Sequence, residues 1–509
     1  MNTLEWIIAL LLGAVLLSAA ARRAKVPYPT FLALGGVLLA FLPSGPAWTL
    51  EPSLALALFV APVLLDAAYD TSLRDLRDNW LPVSTLVVVA VGLTTAAVAG
   101  LMRFLLPDMP WAAAIALGAI VAPPDAAAAT AILRQVKLPY RILKILEGES
   151  LLNDASALLI YRVAVGAAAM DQMTWSHFAP TLLLGVPGSL AAGYVFGRIS
   201  MAVLPRLTDP PSAIIVQFAS TFVVWIVAEH VGLSGILTIV VYAFTVARTA
   251  PAEIPARLRV PAYAVWDTVV FVLNVLAFVL IGLQLQPIWL RLDEALRLEY
   301  CMIAAMVLGV VILTRIGWVM FYNTVLRWFG LRTSRPLAPP TVQGGIVVSW
   351  CGMRGIVTLA AAFALPENFP YRDLILLTAF AVVLGSLVIQ GLTLRPLIAM
   401  LQLRDDNPVE AEVGRARATA YRAALDEIDG DPSNEAEILR LEYRALLLRA
   451  KGDPDGVTSG ELPADPLRRR ALGAARRSIL ALRESEEIGD DAFHRLEEEL
   501  DLAELSARA

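Results

Sequence analysis

The chain has 509 residues, of which 58% are hydrophobic and only 17% are charged, and its mean hydropathy is +0.66. Soluble globular proteins carry about 25% charged residues, so one water-soluble core cannot hide an apolar excess of this size. The composition predicts an integral membrane protein and argues against a soluble enzyme. The net charge of −5 and the absence of a basic cluster argue against nucleic-acid binding. Two cysteines and three histidines argue against a disulfide scaffold or a zinc cluster, and we predict no cofactor.

Long apolar runs alternate with short loops as far as Leu403, after which the sequence is rich in charged residues and alanine. A membrane-spanning helix needs about 20 mostly apolar residues to cross a hydrocarbon core about 30 Å thick. We therefore predict an all-α membrane domain at residues 1–403, followed by a soluble helical regulatory tail at residues 404–509. About thirteen spans are predicted, at residues 3–21, 27–43, 53–70, 81–106, 111–134, 142–168, 178–204, 211–230, 232–248, 263–286, 299–328, 341–365 and 372–401.

The loops between these spans differ sharply in positive charge. Cytoplasmic loops collect Lys and Arg. One set of alternating loops holds Arg22, Arg23, Lys25, Arg74, Arg77, Arg134, Lys137, Arg141, Lys144, Arg198, Arg206, Arg248, Arg257, Arg259, Arg327, Arg332 and Arg335. The opposite set holds only Arg103, Arg162, Arg291, Arg297 and Arg372. This bias predicts a multi-pass cell-membrane protein with its N-terminus outside and its tail in the cytoplasm.

The densest polar group within a span is at residues 147–154, near the start of span six. On a helix Ser150 and Asp154 share one face, and so do Glu149 and Asn153. Carboxylate, hydroxyl and carbonyl oxygens suit hard cations. A solvated helix end does not explain Asp154, because apolar residues follow it. An ionisable residue at this depth is by default a functional hypothesis, and we predict a monovalent-cation site here.

Span five is interrupted by Pro123, Pro124 and Asp125. Two prolines remove backbone hydrogen bonds, and irregular backbone at membrane depth is tolerated only where protein or a cavity surrounds it. Freed carbonyls near Pro124 are candidate cation ligands. Asp125 is suited to the positive end of a half-helix and is also a candidate residue of the cation and proton site. The alternative is a simple proline kink.

Span twelve is interrupted at residues 349–355, where two glycines flank Arg354. A buried arginine needs either an acidic partner or a set of carbonyls, and we predict that Arg354 pairs with Glu149. The role of that pair, transport or purely structural, stays open. Spans 1–6 and 8–13 are predicted to be inverted repeats, which places the two interrupted helices at equivalent positions, and such pairs typically mark a transporter's substrate site.

Four further ionisable residues lie in or beside spans. Asp66 is a carboxylate late in span three, and Arg315 lies inside span eleven without a partner that the sequence identifies. Glu229 and His230 lie at a tight hairpin, where interfacial exposure is the simpler interpretation.

At these residues the chain resembles the sodium/proton exchangers of the monovalent cation:proton antiporter-1 family. The string at residues 148–154 (GESLLND) carries the most specific likeness. The other matching segments are residues 64–67, 122–125, 232–236, 273–282 and 352–355. They occur in family order along nearly all of residues 1–403.

The resemblance implies a homodimer of thirteen-helix protomers that exchange a monovalent cation, most simply Na⁺, for H⁺ by alternating access. It implies that Asp154 binds the cation or the proton, supported by Asn153, Ser150, Asp66 and backbone near Pro124. It also implies one-for-one, electroneutral exchange, because electrogenic relatives have a second Asp where this chain has Asn153. Family members usually have Thr where this chain has Pro124, so a hydroxyl ligand is missing.

Two other functions remain open at the level of the sequence. One is an antiporter that prefers K⁺, with Li⁺ exchange equally compatible with the residues. The other is a membrane sensor in which a transporter-like domain signals through the tail, which predicts ion binding without turnover.

Overall fold

A computed structural model describes residues 3–24, 26–42, 51–125, 138–168, 175–329, 341–403, 408–452 and 465–485, together with a few residues near 500. Within these ranges every regular element is a helix. Contacts divide the chain into two units, residues 1–405 and 406–509, and this division lies two residues from the predicted domain boundary.

Among the residues that the structure describes, the first unit contains sixteen helices besides one 3-10 turn, and several of them are short. In chain order they are α1 (Thr3–Ala24), α2 (Tyr28–Ala40), α3 (Pro52–Asp70), α4 (Leu73–Asp78), α5 (Trp80–Leu105), α6 (Trp111–Val121), α7 (Tyr140–Ala168), α8 (Trp175–Val203), α9 (Pro210–His230), α10 (Gly235–Glu253), α11 (Ala256–Leu283), α12 (Leu285–Arg291), α13 (Arg297–Phe329), α14 (Val342–Trp350), α15 (Ile356–Phe363) and α16 (Arg372–Leu401). In the second unit, the described helices are α17 (Pro408–Glu427), α18 (Asn434–Gly452) and α19 (Asp465–Glu484).

Each predicted span coincides with a helix or with part of an interrupted one. Eight of the described helical stretches are long and apolar enough to cross a membrane by length and composition alone. The total of thirteen crossings stays a prediction, because α2 has only 13 residues and the second half of span five lies outside the described residues. The helix at predicted span ten begins earlier than its apolar run, directly after Pro255.

Both predicted interruptions are present. Helix α6 ends at Val121 and the chain continues as non-helical backbone through Asp125. Helix α14 ends at Trp350, and α15 begins at Ile356 after five non-helical residues. These breaks are confirmed, and the two non-helical segments meet inside one apolar cluster to which α6, α11 and α16 contribute most, with further residues from α5, α7 and α13–α15.

A second apolar cluster joins α3, α9 and α10, and its members include Leu64, Trp225 and Ile239. Leu151 of α7 belongs to this cluster, whereas Leu146 of the same helix belongs to the first. Helix α7 therefore lies between the two clusters and presents residues to both.

Glycines set the closest helix crossings. A Cβ on Gly36 of α2 would overlap the backbone carbonyl of Val279, and a Cβ on Gly282 of α11 would overlap that of Ala33. Helices α2 and α11 therefore touch backbone to backbone. The same holds where Gly118 of α6 meets α5, because a Cβ there would lie 2.5 Å from a backbone oxygen.

Candidate ion-binding site

The two interruptions cross each other and are joined by backbone contacts. The amide of Asp125 donates a 2.6 Å hydrogen bond to the carbonyl of Met353. A Cβ on Gly355 would overlap the Asp125 carboxylate, so only a glycine lets that side chain approach so closely. Because Gly355 precedes the first turn of α15, the carboxylate lies at the positive end of that half-helix. Asp125 thus occupies a half-helix terminus, as the sequence predicts, and the terminus belongs to the other interrupted span.

Arg354 is almost fully buried, and its guanidinium is surrounded by backbone oxygens. Its Nε donates to the carbonyl of Val121 at 3.0 Å and its Nη2 to that of Ala122 at 3.2 Å, and its Nη1 bonds the carbonyl of Gly352. Its own amide donates to the hydroxyl of Ser386 at 3.0 Å. The first two acceptors end α6, where carbonyls lack helical partners, so Arg354 neutralises the negative end of that half-helix.

The predicted Glu149–Arg354 ion pair is wrong, because Glu149 pairs with Arg315. Arg315 Nη1 and Nη2 donate to Glu149 Oε1 and Oε2 at 2.5 and 2.9 Å, and the two side chains are 3% and 2% exposed. Nη2 also donates to the carbonyl of Val348 at 3.0 Å, near the end of α14. Arg315 extends from the unbroken helix α13 with its planar fork facing the carboxylate. Arg354 lies in the break itself, where the freed carbonyls at the end of α6 are closer to its guanidinium than the Glu149 carboxylate is.

Asn153 ties α7 to the first interruption. Its Nδ2 donates a 2.6 Å hydrogen bond to the carbonyl of Pro124, and the side chain is fully buried. Its Oδ1 has no hydrogen-bond partner among the described residues. The Pro124 carbonyl, predicted as a candidate cation ligand, therefore accepts a bond from Asn153.

Asp154 lies beside this contact and is 8% exposed. Asp125 is close enough to interact with it electrostatically. In the part of the chain that the structure describes, the Asp154 carboxylate makes no hydrogen bond, and a buried charge is expensive unless something pairs with it. Ser150, one turn earlier, is half-buried. The structure thus brings Asp154, Asn153, Pro124 and Asp125 together at one end of a helix crossing.

A further contact that the sequence did not indicate fixes the same part of α7. The hydroxyl of Ser156 donates to the carbonyl of Val87 at 2.7 Å. Val87 lies in a π-helical stretch of α5, Thr85–Ala90, and π-helical turns disturb the regular α-helical ladder. The signal in the sequence is weak, because nothing in that apolar run marks a π-helical turn.

Asp66 lies in a different environment from Asp154. It is half-buried and lines a cavity of about 100 Å³, together with aromatic side chains such as Tyr69, Tyr263 and Trp266. Asp154 is not among the residues that line this cavity. The two helices meet through the second apolar cluster, so the role of Asp66 as an ion ligand stays a prediction.

Comparison with known proteins places this arrangement in a family. A sequence profile of the transmembrane region of sodium/hydrogen exchangers matches residues 7–400. An uncharacterized Na⁺/H⁺ exchanger of Mycobacterium tuberculosis is 30% identical, over 98% of this chain and 95% of its own. The chain belongs to the sodium/hydrogen exchanger family. An exchanger of Escherichia coli is 27% identical over 94% of each chain.

A further relative of the chain comes from Bacillus subtilis and is named a sodium, potassium, lithium and rubidium/H⁺ antiporter. It is 30% identical over 72% of this chain and 57% of its own. The solved sodium proton antiporter MjNhaP1 of Methanocaldococcus jannaschii shares the fold, with a TM-score of 0.62 over 79% of this chain and 99% of that one at 17% identity. The exchanger is thus a multi-pass membrane protein of a transporter family whose substrates are a monovalent cation and H⁺.

Proposed function

We propose that this protein exchanges Na⁺ for H⁺ one for one, with Asp154 as the carboxylate for which cation and proton compete. The observation that supports this most is the Asp154 carboxylate itself. It is buried at the crossing of two interrupted helices and is without a hydrogen bond among the described residues.

Exchange follows from the electrostatics of one carboxylate. A cation and a proton neutralise the same negative charge, so each excludes the other. The neutralised site crosses the apolar interior, whereas the empty, charged site is held back by the free energy of moving a bare charge into a low dielectric. Obligate exchange results because only loaded forms change sides.

Among the described residues, no arginine at the crossing pairs with the Asp154 carboxylate. Arg354 bonds the carbonyls that end α6, and Arg315 pairs with Glu149. Each guanidinium is therefore bound to other oxygens, and within the described ranges neither forms an ion pair with Asp154. A cation or proton then remains the natural counter-charge.

We further propose that the arginine-rich loops and the tail face the cytoplasm, that the N-terminus lies outside, and that the protein is a homodimer in the cell membrane. The loop charges support the orientation. The second unit, residues 406–509, is proposed as a regulatory module.

The test replaces Asp154 with Asn in protein reconstituted into liposomes that contain a pH-sensitive dye. A Na⁺ gradient should drive proton flux through the unaltered protein, and Asp154→Asn should abolish it. Glu147→Gln is the matched control, because it removes a carboxylate from the same helix that pairs only with nearby Lys144 at 2.7 Å. Flux should survive in that control. Full exchange by Asp154→Asn contradicts the proposal, and cation binding without any flux in the unaltered protein favours the sensor.

The same vesicles resolve the cation and the stoichiometry. Gradients of Li⁺, K⁺ and Rb⁺ replace Na⁺ in turn, since the Bacillus subtilis relative is named for four alkali cations. K⁺ flux above Na⁺ flux favours the K⁺-preferring alternative. Clamping the membrane potential with K⁺ and valinomycin should leave the Na⁺-driven rate unchanged if exchange is electroneutral.

A further inference from the structure

A second contact of α7 lies at the end of that helix away from the arginine-rich loops. Arg162 Nη2 donates to both carboxylate oxygens of Glu229, at 2.9 and 2.6 Å. Arg162 follows Asp154 by eight residues, about 12 Å along the helix. Glu229 lies in the last turn of α9, just before the hairpin that leads into α10. The ion pair thus joins the helix that bears Asp154 to a hairpin far away in sequence.

Glu229 is held in place by its own hairpin. Its Oε1 accepts a 2.9 Å hydrogen bond from the amide of Gly235, at the start of α10, where the helix dipole favours a negative charge. Gly232 turns the chain with a φ of +78°, a backbone conformation that favours glycine. The Ser234 hydroxyl caps α10, and the Ser234 amide donates to Ser189 of α8 at 2.9 Å. The carboxylate is therefore a fixed anchor, and Arg162 is the part that reaches across.

At this end of the molecule the helices that carry the two partners pack into different apolar clusters, although α7 contributes to both clusters nearer its middle. Tyr161 and Ala164 of α7 lie in the cluster that contains the helix crossing. Trp225 of α9 lies in the cluster with α3 and α10, where a Cβ on Gly235 would lie 3.0 Å from its indole. The pair is partly exposed, with side chains 43% and 36% accessible. Any movement of one cluster along the other at this end of the molecule must break it.

We propose that Arg162 and Glu229 form an ionic clasp that closes the outer route to Asp154. The proposal rests on alternating access at Asp154. Arg162 positions α7 against the α9–α10 hairpin while the outer side is closed, and the bond breaks when that side opens. Arg162 touches no ion, so it is a positioning residue of the transport cycle.

Leu158 offers a direct readout, because it lies midway between Asp154 and Arg162 on one face of α7. It packs against both apolar clusters and is only partly exposed, so we expect a water-soluble reagent to react with it faster when the clusters separate. The reporter is Leu158→Cys, in a background where the two native cysteines are replaced (Cys301→Ser, Cys351→Ala). Its modification by a membrane-impermeant maleimide added outside intact cells gives the opening rate.

We expect Arg162→Ala and Glu229→Gln each to speed modification about two- to fivefold, the range that an exposed ion pair supports. Glu229→Gln retains an oxygen for the Gly235 amide and removes the charge. Arg162→Lys retains the positive charge and should keep modification slow, near the parental rate, while Glu229 keeps its bond from the Gly235 amide. Arg297→Ala is the matched control, because it removes an exposed pair with Glu294 on the same side within a single turn, and it should change nothing.

The clasp is refuted if Arg162→Ala and Glu229→Gln both react at the parental rate, if Arg297→Ala accelerates modification equally, or if Arg162→Lys reacts as fast as Arg162→Ala. Repeating the measurement with Asp154→Asn separates this proposal from the proposed function. The accelerations should persist there, because the clasp needs no bound ion. Exchange that survives Asp154→Asn refutes the role of Asp154 and leaves the maleimide result standing as a measure of the clasp.

Discussion

Charged side chains close the open ends of the interrupted helices. Arg354 bonds the carbonyls that end α6, and Arg315 bonds one near the end of α14. Asp125 lies at the opposite, positive end of α15. Each charge has the sign that the helix dipole favours, and the two arginines also satisfy buried backbone carbonyls. The break is therefore stable at membrane depth because its polar groups are paired within the protein.

We predict that the buried Glu149–Arg315 pair is important for stability. Arg315→Ala leaves a buried carboxylate without its counter-charge, and breaking one partner of a buried pair typically costs about 3–5 kcal/mol. We expect a clear fall in the unfolding temperature of the detergent-solubilised protein. Glu294→Gln removes an exposed pair instead and should cost at most about 1 kcal/mol.

The double variant Glu149→Gln/Arg315→Gln should lose less stability than the sum of the two single variants, because neither side then keeps an unpaired charge. Equal unfolding temperatures for Arg315→Ala and Glu294→Gln would contradict this account of the pair.

At the scale of helices, backbone contact through glycine decides which helices pack closely. Helices α2 and α11 approach until Gly36 and Gly282 touch the opposite backbone. In membranes, small residues at a crossing allow this approach, and van der Waals packing then supplies much of the association energy. The short helix α2 is held against its neighbours mainly through this crossing and its own buried face.

We predict that Gly282→Ala weakens this crossing. The added methyl would overlap the carbonyl of Ala33, so α2 must move. Overpacking of this kind typically costs about 1–3 kcal/mol of stability. The unfolding temperature should fall. Gly309→Ala is the control, because no atom lies within 4 Å of a Cβ at that helical position. It should be neutral or slightly stabilising. An unchanged unfolding temperature for Gly282→Ala would show that α2 and α11 are not held by this contact.

At the scale of the whole molecule, the chain consists of two units with separate internal contacts, divided between Asp405 and Asp406. In the second unit, α17 and α18 pack on each other, with the rings of Tyr421 and Tyr443 6.1 Å apart. All the residues of the proposed ion site lie in the first unit.

We therefore predict that a chain ending at residue 405 inserts into membranes and retains Na⁺-driven proton flux that Asp154→Asn abolishes. The rate or its dependence on cytoplasmic pH should change if the second unit is regulatory. The measurement is the liposome assay with matched amounts of full-length and shortened protein. Loss of insertion or of all flux would show that the second unit is needed for folding or transport.

The amino-acid sequence by itself determined the class of protein, the apolar segments, both interruptions and the position of Asp154. These properties depend on local chemistry: lipid excludes unpaired polar groups, and two adjacent prolines remove two consecutive backbone donors from a helix. Only the tertiary structure decided the partner of Glu149, because Arg315 is 166 residues away and two buried arginines competed for one carboxylate. It also decided that Asp66 lines a cavity that Asp154 does not line. It decided as well that Arg162 pairs with Glu229, a residue that the sequence alone indicated only as exposed at the membrane interface. Such contacts depend on how distant helices cross in space, and the spacing of residues along the chain does not reveal how they cross.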